Sequence, residues 1–131
     1  MKKTYLLILS LISINISAQN ITWQNVNINV PYENTDSVYN LIDGFYSNIQ
    51  IPEGVRVSLW SIEYKGSSEK ATHVLNFAGS KEAITEFESR KLTPEWDAYV
   101  SKLNSLTSRD GYSITAGVTL VRYNLDKWQQ Q

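Results

Sequence analysis

The sequence predicts an α+β fold in which helices cover one face of a four-stranded antiparallel sheet. Three observations lead to this prediction. Four segments alternate apolar and polar residues, as strands with one buried face do. Segments with helical spacing of apolar residues lie between them and begin with capping signals. The two middle strands are joined only by the polar loop 65–70, which predicts a hairpin.

The first unit is predicted to be a strand followed by a helix. The strand, residues 21–30, ends at Pro31 because proline has no N–H to donate to a sheet. The helix begins at Thr35 or Asp36, either of which can serve as N-cap. Its apolar stripe consists of Val38, Leu41, Ile42, Phe45 and Ile49. Gly44 weakens this helix, so we expect it to lie close to the sheet, where a glycine makes room.

The second unit follows the predicted strands 55–64 and 72–78. Ser80 can cap a helix directly after the second of these strands. A restart signal comes at Thr93 and Pro94, where a capping residue precedes a proline at the first helical position. The stripe of the restarted helix consists of Trp96, Tyr99, Val100, Leu103 and Leu106. A loop at 108–111 and a last strand at 112–123 complete the predicted order.

This order is that of two βαβ units joined by a hairpin, a ferredoxin-like βαββαβ sandwich. The predicted core consists of the apolar residues that face each other between the sheet and the helices. They are Val26, Ile28, Val30, Val38, Leu41, Ile42, Phe45, Val55, Val57, Leu59, Leu75, Phe77, Ile84, Phe87, Trp96, Val100, Leu103, Ile114, Val118 and Leu120.

The sheet face away from the helices is predicted to be partly apolar. It should carry Asn25, Asn27, Arg56, Trp60, Ile62, Tyr64, Val74, Asn76, Thr119, Val121 and Tyr123. Exposed apolar patches usually mark an interface or a ligand surface. We therefore predict a homodimer in which two such faces meet, since two-fold pairing is the common form of oligomer. A small apolar or aromatic ligand held between sheet and helices is the alternative.

Residues 1–18 have the features of an export signal. Two lysines precede about ten mostly apolar residues, and Ala18 supplies a small residue at the cleavage point. The apolar run is shorter than the roughly 20 residues that span a bilayer. We therefore predict a cleaved signal peptide, no membrane span after cleavage, and a single domain over 19–131 in the periplasm or outside the cell.

Charge and cysteine content exclude several classes of function. The twelve Lys and Arg residues include two in the predicted signal, which holds none of the thirteen acids, so residues 19–131 have a formal net charge of −3. Nucleic acid is not a predicted partner, because binding it requires a basic surface. The chain has no cysteine, which excludes thiol catalysis, disulfides and cysteine-ligated zinc.

The starts of the second and third helical segments carry a family resemblance. The segments Ser80-Lys81-Glu82-Ala83 and Thr93-Pro94-Glu95-Trp96-Asp97-Ala98-Tyr99 resemble the dimeric α+β barrel superfamily, in particular the antibiotic-biosynthesis-monooxygenase-type domains. The resemblance covers about residues 24–123. It implies the fold and dimerisation. Many such domains have a histidine near the break between the two helices, where this chain has Arg90, Lys91 and Leu92.

The residue types in the chain point to no catalytic constellation. His73 is the only histidine, and it is a candidate general base beside Trp60, Tyr64 or Asn76. Without a second histidine or an acidic cluster at ligand spacing, we predict no metal site and no cofactor. The ligand or interface candidates are Trp60, Tyr64, His73, Asn76, Trp96, Tyr99 and Tyr123.

Three functions remain as hypotheses. The first is an exported α+β module without enzymatic activity, a homodimer that binds a small ligand or a partner protein. The second is a cofactor-independent monooxygenase-like enzyme, which the family resemblance implies. The third is a structural protein of the cell envelope, which predicts no internal cavity.

Overall fold

The structure is a computed structural model that describes residues 20–120. The predicted signal peptide, Val121 and Tyr123 lie outside these residues. The elements are β1 (Thr22–Asn29), a 3₁₀ turn (Tyr32–Asn34), α1 (Thr35–Asn48), β2 (Arg56–Ser61), β3 (His73–Gly79), α2 (Lys81–Ser89), α3 (Pro94–Leu106) and β4 (Ser108–Val118). None of these helices has the length and apolar character needed to cross a membrane.

The sheet has the strand order β2-β3-β1-β4, and every neighbouring pair is antiparallel. This order confirms the predicted ferredoxin-like α+β fold. Val26 lies opposite both Leu75 and Ile114, and Leu59 lies opposite Leu75, so these side chains share the face that the helices cover. The core lies between this face and the three helices, with Ile28, Val38, Phe77 and Phe87 almost fully buried.

The predicted starts of α2 and α3 are confirmed by their caps. The Ser80 Oγ accepts a hydrogen bond from the Ala83 N–H at 3.1 Å, and the Thr93 Oγ1 accepts one from the Trp96 N–H at 3.2 Å. The predicted cap of α1 is wrong, because Asn34 holds that position and Thr35 is already helical. Asn34 instead donates to the Leu106 carbonyl at 2.9 Å, which joins the start of α1 to the end of α3.

Strands β2 and β4 differ from their predicted bounds. Strand β2 ends at Ser61, so Ile62 and Tyr64 lie in the following loop rather than on a strand face. The predicted loop at 108–111 is part of β4, because Ser108 pairs with Asn29 across a register shift in β1. Local residue preferences predicted a turn there, and pairing with β1 overrides them.

Two predictions about burial are also wrong. Ile114, Val118 and Leu120 were expected in the core, but they are 52%, 45% and 85% exposed. Strand β4 is an edge strand, and the buried sheet residues lie on the central strands β1 and β3. Gly44 lies on the exposed side of α1, and a Cβ built there would meet no atom within 4 Å, so it makes no close approach to the sheet.

The sheet face away from the helices, here called the open face, combines polar side chains with aromatic ones. Asn25 lies opposite Asn76, Trp60 lies opposite Val74, and Arg56 lies opposite Ala78. Trp60 is 53% exposed. The prediction for this face is therefore confirmed at Asn25, Asn27, Arg56, Trp60, Val74 and Asn76.

Candidate functional site

A cavity of about 420 Å³, here called the inner cavity, lies between the sheet and the helices. Strands β1, β3 and β4 supply its floor, and α1, α3 and the end of α2 supply its walls. Its lining residues are Gln24, Val26, Tyr46, Leu75, Phe77, Glu88, Lys91, Leu92, Trp96, Asp97, Tyr99, Val100, Leu103, Asn104, Tyr112 and Ile114. The volume and the mainly apolar lining are typical of small-molecule sites.

Two tyrosines from different helices meet at the wall of the inner cavity. The rings of Tyr46 and Tyr99 pack edge to face with centroids 5.6 Å apart, and Phe45 stacks on Tyr99 at 4.1 Å. Helical spacing explains this placement, since Tyr99 is on the inner stripe of α3 and Tyr46 flanks the inner stripe of α1. The tyrosines therefore bring two hydroxyl groups into a wall of aromatic rings.

Both tyrosine hydroxyls are neutral at physiological pH. Burial raises the pKa of Tyr99 to about 12. Burial also raises the pKa of Tyr46, and the nearby Tyr99 and Glu88 raise it further. The contact between the two hydroxyls contributes to the raised pKa of Tyr46, but neither hydroxyl has a hydrogen-bond partner of normal geometry within residues 20–120. Each hydroxyl can therefore donate to another molecule.

Gln24 contributes a third buried polar group to the inner cavity. Its side chain is on the helix-covered face of β1, opposite Phe77. The Oε1 atom of Gln24 is buried and, like the hydroxyls of Tyr46 and Tyr99, has no hydrogen-bond partner in the part of the chain that the structure describes. An unpartnered buried polar group costs roughly 1–3 kcal/mol. Three such groups on one cavity are suited to bind a molecule that carries complementary donors and acceptors.

Lys91 brings a positive charge to the same cavity. Its Nζ lies 4.6 Å from the centre of the Phe77 ring, 5.1 Å from Phe87 and 4.8 Å from Trp96. The Glu88 Oε1 accepts a hydrogen bond from it at 2.5 Å. The Lys91 side chain is only 13% exposed, whereas that of Glu88 is 42% exposed. The ammonium is thus held among aromatic faces, where cation–π attraction is strongest when water is excluded.

A second cavity of about 430 Å³, the outer cavity, adjoins the first. It is lined by Phe45, Ile49, Gln50, Phe87, Arg90, Lys91, Thr93, Glu95 and Trp96. Lys91 and Trp96 line both cavities, so they form part of the wall between them. The segment that joins α2 to α3 therefore shapes both spaces.

The sequence-predicted candidates fall into separate places. Trp96 and Tyr99 are together in the inner cavity. His73 faces the helices but lines neither cavity, and its Nε2 and Nδ1 lie 3.0 Å from the Tyr39 hydroxyl and 2.9 Å from the Thr72 hydroxyl. Burial lowers the pKa of His73. Its position fits a structural role better than that of a general base.

The remaining candidates do not join this site. Trp60 and Asn76 are on the open face, where Asn76 donates to the Asn25 side chain at 2.6 Å. Tyr64 lies in the loop after β2 and is 96% exposed. Tyr123 lies outside the described residues. The predicted grouping of His73 with Trp60, Tyr64 and Asn76 is therefore absent from residues 20–120.

Sequence reasoning missed several residues of the inner cavity, of which Gln24, Lys91 and Tyr46 matter most for its chemistry. Gln24 had a detectable signal, because it occupies a core-facing position in the alternation with Val26 and Ile28. Lys91 gave no signal in the sequence, since a lysine beside Arg90 is typical of a solvated helix end. Helical spacing puts Tyr46 on the flank of the α1 stripe, but its contact with Tyr99 depends on how α3 packs against α1. Within residues 20–120, no group of three or more metal-ligating side chains is close enough to hold a metal ion.

Comparison with known proteins finds relatives in structure only. No family model and no curated protein matches the chain. A hydroxynitrile lyase from Passiflora edulis matches with a TM-score of 0.57 and 10% sequence identity, and the match covers 80% of this chain and 98% of the lyase chain. A candidate antibiotic biosynthesis monooxygenase from Nitrosomonas europaea has a TM-score of 0.52 and 11% identity, covering 79% and 92%. A dimeric ferredoxin-like protein of unknown function from Thermobifida fusca has a TM-score of 0.52 and 6% identity, covering 76% and 92%.

These similarities confirm the resemblance to the antibiotic-biosynthesis-monooxygenase-type domains at the level of the fold. At such low identity they establish the fold alone. A lyase and a candidate monooxygenase share it, which agrees with the general rule that function resides in the site and not in the fold.

Proposed function

We propose that this protein binds a small, largely planar organic molecule in the inner cavity. The observation that carries the proposal is a set of three buried polar atoms on residues that line that cavity, none of which has a hydrogen-bond partner among residues 20–120: Gln24 Oε1, Tyr46 Oη and Tyr99 Oη. Buried polar groups in proteins are nearly always paired, so exceptions that share one cavity require an explanation. A bound ligand supplies the missing partners.

The lining indicates what kind of molecule fits. Phe77, Trp96 and Tyr99 present aromatic rings, which favour a ligand with an apolar, flat body. The two phenols donate hydrogen bonds, and the Gln24 carbonyl accepts one. A ligand that carries at least one oxygen acceptor and one N–H or O–H donor satisfies all three groups.

Export and dimerisation belong to the same proposal. The signal-like residues 1–18 support a protein that acts in the periplasm or outside the cell. The partly apolar open face and the dimeric neighbour from Thermobifida fusca support a homodimer. Because the open face and the inner cavity are on opposite sides of the sheet, dimerisation through the open face leaves the cavity accessible.

A second candidate function is cofactor-independent oxygenation of the bound molecule. The fold neighbour from Nitrosomonas europaea supports it, and so do the two phenols and the Lys91 ammonium around the cavity. Donors of this kind stabilise negative charge that develops on a substrate oxygen.

The third hypothesis, a structural envelope protein without a cavity, receives no support from the inner cavity.

A thermal-shift screen of planar aromatic compounds tests ligand binding. Asn104 is exposed and lines the inner cavity, so Asn104→Trp should block it with little effect on folding. Ser101 is exposed on the same helix and lines neither cavity, which makes Ser101→Trp the matched control. We expect compounds that raise the Tm of the wild type and of Ser101→Trp but not that of Asn104→Trp. Equal shifts in all three proteins would contradict binding in the inner cavity.

A further inference from the structure

We infer that the ligand is a planar aromatic acid whose anionic group binds the ammonium of Lys91. The inference rests on the proposed function and specifies its ligand class. Among the described residues 20–120, Lys91 is the only basic one that lines the inner cavity. It is also mostly buried, with 13% of its side chain exposed.

The hydrogen-bonding capacity of Lys91 is not filled by its protein partners. An ammonium has three N–H donors. Within residues 20–120, only the Glu88 carboxylate accepts a hydrogen bond from it. The faces of Phe77, Phe87 and Trp96 stabilise the charge but offer no oxygen atom. The ammonium can therefore take a further anionic partner.

The position of Glu88 makes it a weak competitor for Lys91. Glu88 and Lys91 are three residues apart, and the Glu88 side chain is 42% exposed. Ion pairs with an exposed partner contribute little to stability, because water solvates the carboxylate almost as well. A carboxylate on a bound aromatic ring would be less exposed to water and would interact more strongly with the ammonium.

The other polar groups of the cavity fit the same class of ligand. The Lys91 Nζ lies 4.8 Å from the centre of the Trp96 ring, which is 5.4 Å from the Tyr99 ring. Tyr99 packs on Tyr46, so the cation and both phenols form one cluster. Neutral phenols donate to anionic oxygen, and such charge-assisted bonds are about twice as strong as neutral ones. Asp97 also lines the cavity but is exposed, where water screens its charge.

Two probes that share one ring system, one with an anionic carboxylate and one with a neutral amide, test this inference. We would measure the affinities of 2-naphthoate and 2-naphthamide for the full protein by calorimetry. For the wild type we expect 2-naphthoate to bind about tenfold or more tightly than the amide, since a hydrogen bond between two charged groups is about twice as strong as one between neutral groups. Lys91→Met should remove this preference, because it weakens 2-naphthoate binding more than 2-naphthamide binding. Lys102→Met, at an exposed lysine of α3, should retain the preference.

Glu88→Gln provides a second test that leaves Lys91 in place. Removing the competing carboxylate should strengthen 2-naphthoate binding several-fold and have a smaller effect on 2-naphthamide binding. Equal affinities for both probes in the wild type, or a preference that survives in Lys91→Met, would overturn the inference while ligand binding itself stands. If neither probe binds to the wild type, the proposed function fails as well.

Discussion

The Nε2 atom of His73 lies 3.0 Å from the hydroxyl oxygen of Tyr39, and the two rings meet edge to face with centroids 5.5 Å apart. The other ring nitrogen of His73 is 2.9 Å from the Thr72 hydroxyl. The only histidine of the chain is therefore a buried link between β3 and α1. Its protonation should affect folding rather than ligand binding.

We expect His73 to make the protein less stable in mild acid. Burial lowers its pKa below the ordinary value of 6.5, so the folded protein takes up this proton at a lower pH than the unfolded chain does. Below about pH 6.5 the unfolded state therefore binds more protons than the folded state. The free energy of unfolding decreases as the pH is lowered, until the pH is below the pKa of His73 in the folded protein. Urea unfolding between pH 7 and 5 should show a smaller decline for His73→Gln than for the wild type.

Tyr39→Phe is the control for this measurement. It removes the hydrogen-bond partner of His73 but leaves the imidazole titratable. We expect a loss of about 1 kcal/mol at pH 7, the usual value of one hydrogen bond. An identical decline with pH in the wild type and in His73→Gln would contradict the assignment to His73.

Replacing either tyrosine of the inner cavity by phenylalanine should not destabilise the ligand-free protein, in contrast to Tyr39→Phe. Their hydroxyls are buried and have no hydrogen-bond partner within residues 20–120, so Tyr46→Phe and Tyr99→Phe should leave the stability of the ligand-free protein unchanged or raise it by up to about 1 kcal/mol. The same substitutions should weaken ligand binding, because each removes a donor. Thermal unfolding without ligand and calorimetry with it measure the two effects. A clear loss of ligand-free stability would mean that the hydroxyls already have partners.

Replacing Gly79 or Gly44 by alanine should change the stability of the protein in opposite directions. A Cβ at Gly79 would lie 2.5 Å from the Gly54 carbonyl oxygen, which is backbone and cannot rotate away. We expect Gly79→Ala to cost about 1–3 kcal/mol through overpacking. A Cβ at Gly44 meets no atom within 4 Å, so Gly44→Ala should stabilise α1 by up to about 1 kcal/mol. Chemical denaturation of both variants checks the signs, and a stabilising Gly79→Ala would contradict the close approach.

Dimerisation through the open face predicts a specific effect of Trp60. Its indole is 53% exposed beside Val74, and a carboxylate there would be buried in the interface without a partner. Trp60→Glu should therefore convert the dimer to a monomer in size-exclusion chromatography with light scattering. Tyr32→Glu, at a residue that is 94% exposed and outside the sheet, should remain dimeric. A wild type that elutes as a monomer would refute the dimer.

The site was harder to predict than the fold, and particular residues show why. Trp96 and Tyr99 were correctly placed on one stripe of a helix, because helical spacing is a local property. Their partner Gln24 is more than seventy positions away in the sequence, and only the folded sheet brings it to the same cavity. Lys91 resembles any surface lysine until Phe77, Phe87 and Trp96 surround it.

The sequence by itself determined the type and order of the elements. Alternation, helical spacing and the caps at Ser80 and Thr93 depend on residues within a few positions of each other, so they can be recognised without a partner. The tertiary structure alone decided that β4 is an edge strand with Ile114 exposed, and that Ser108 pairs with Asn29. Burial and pairing depend on which distant segments pack together, and no local pattern carries that information.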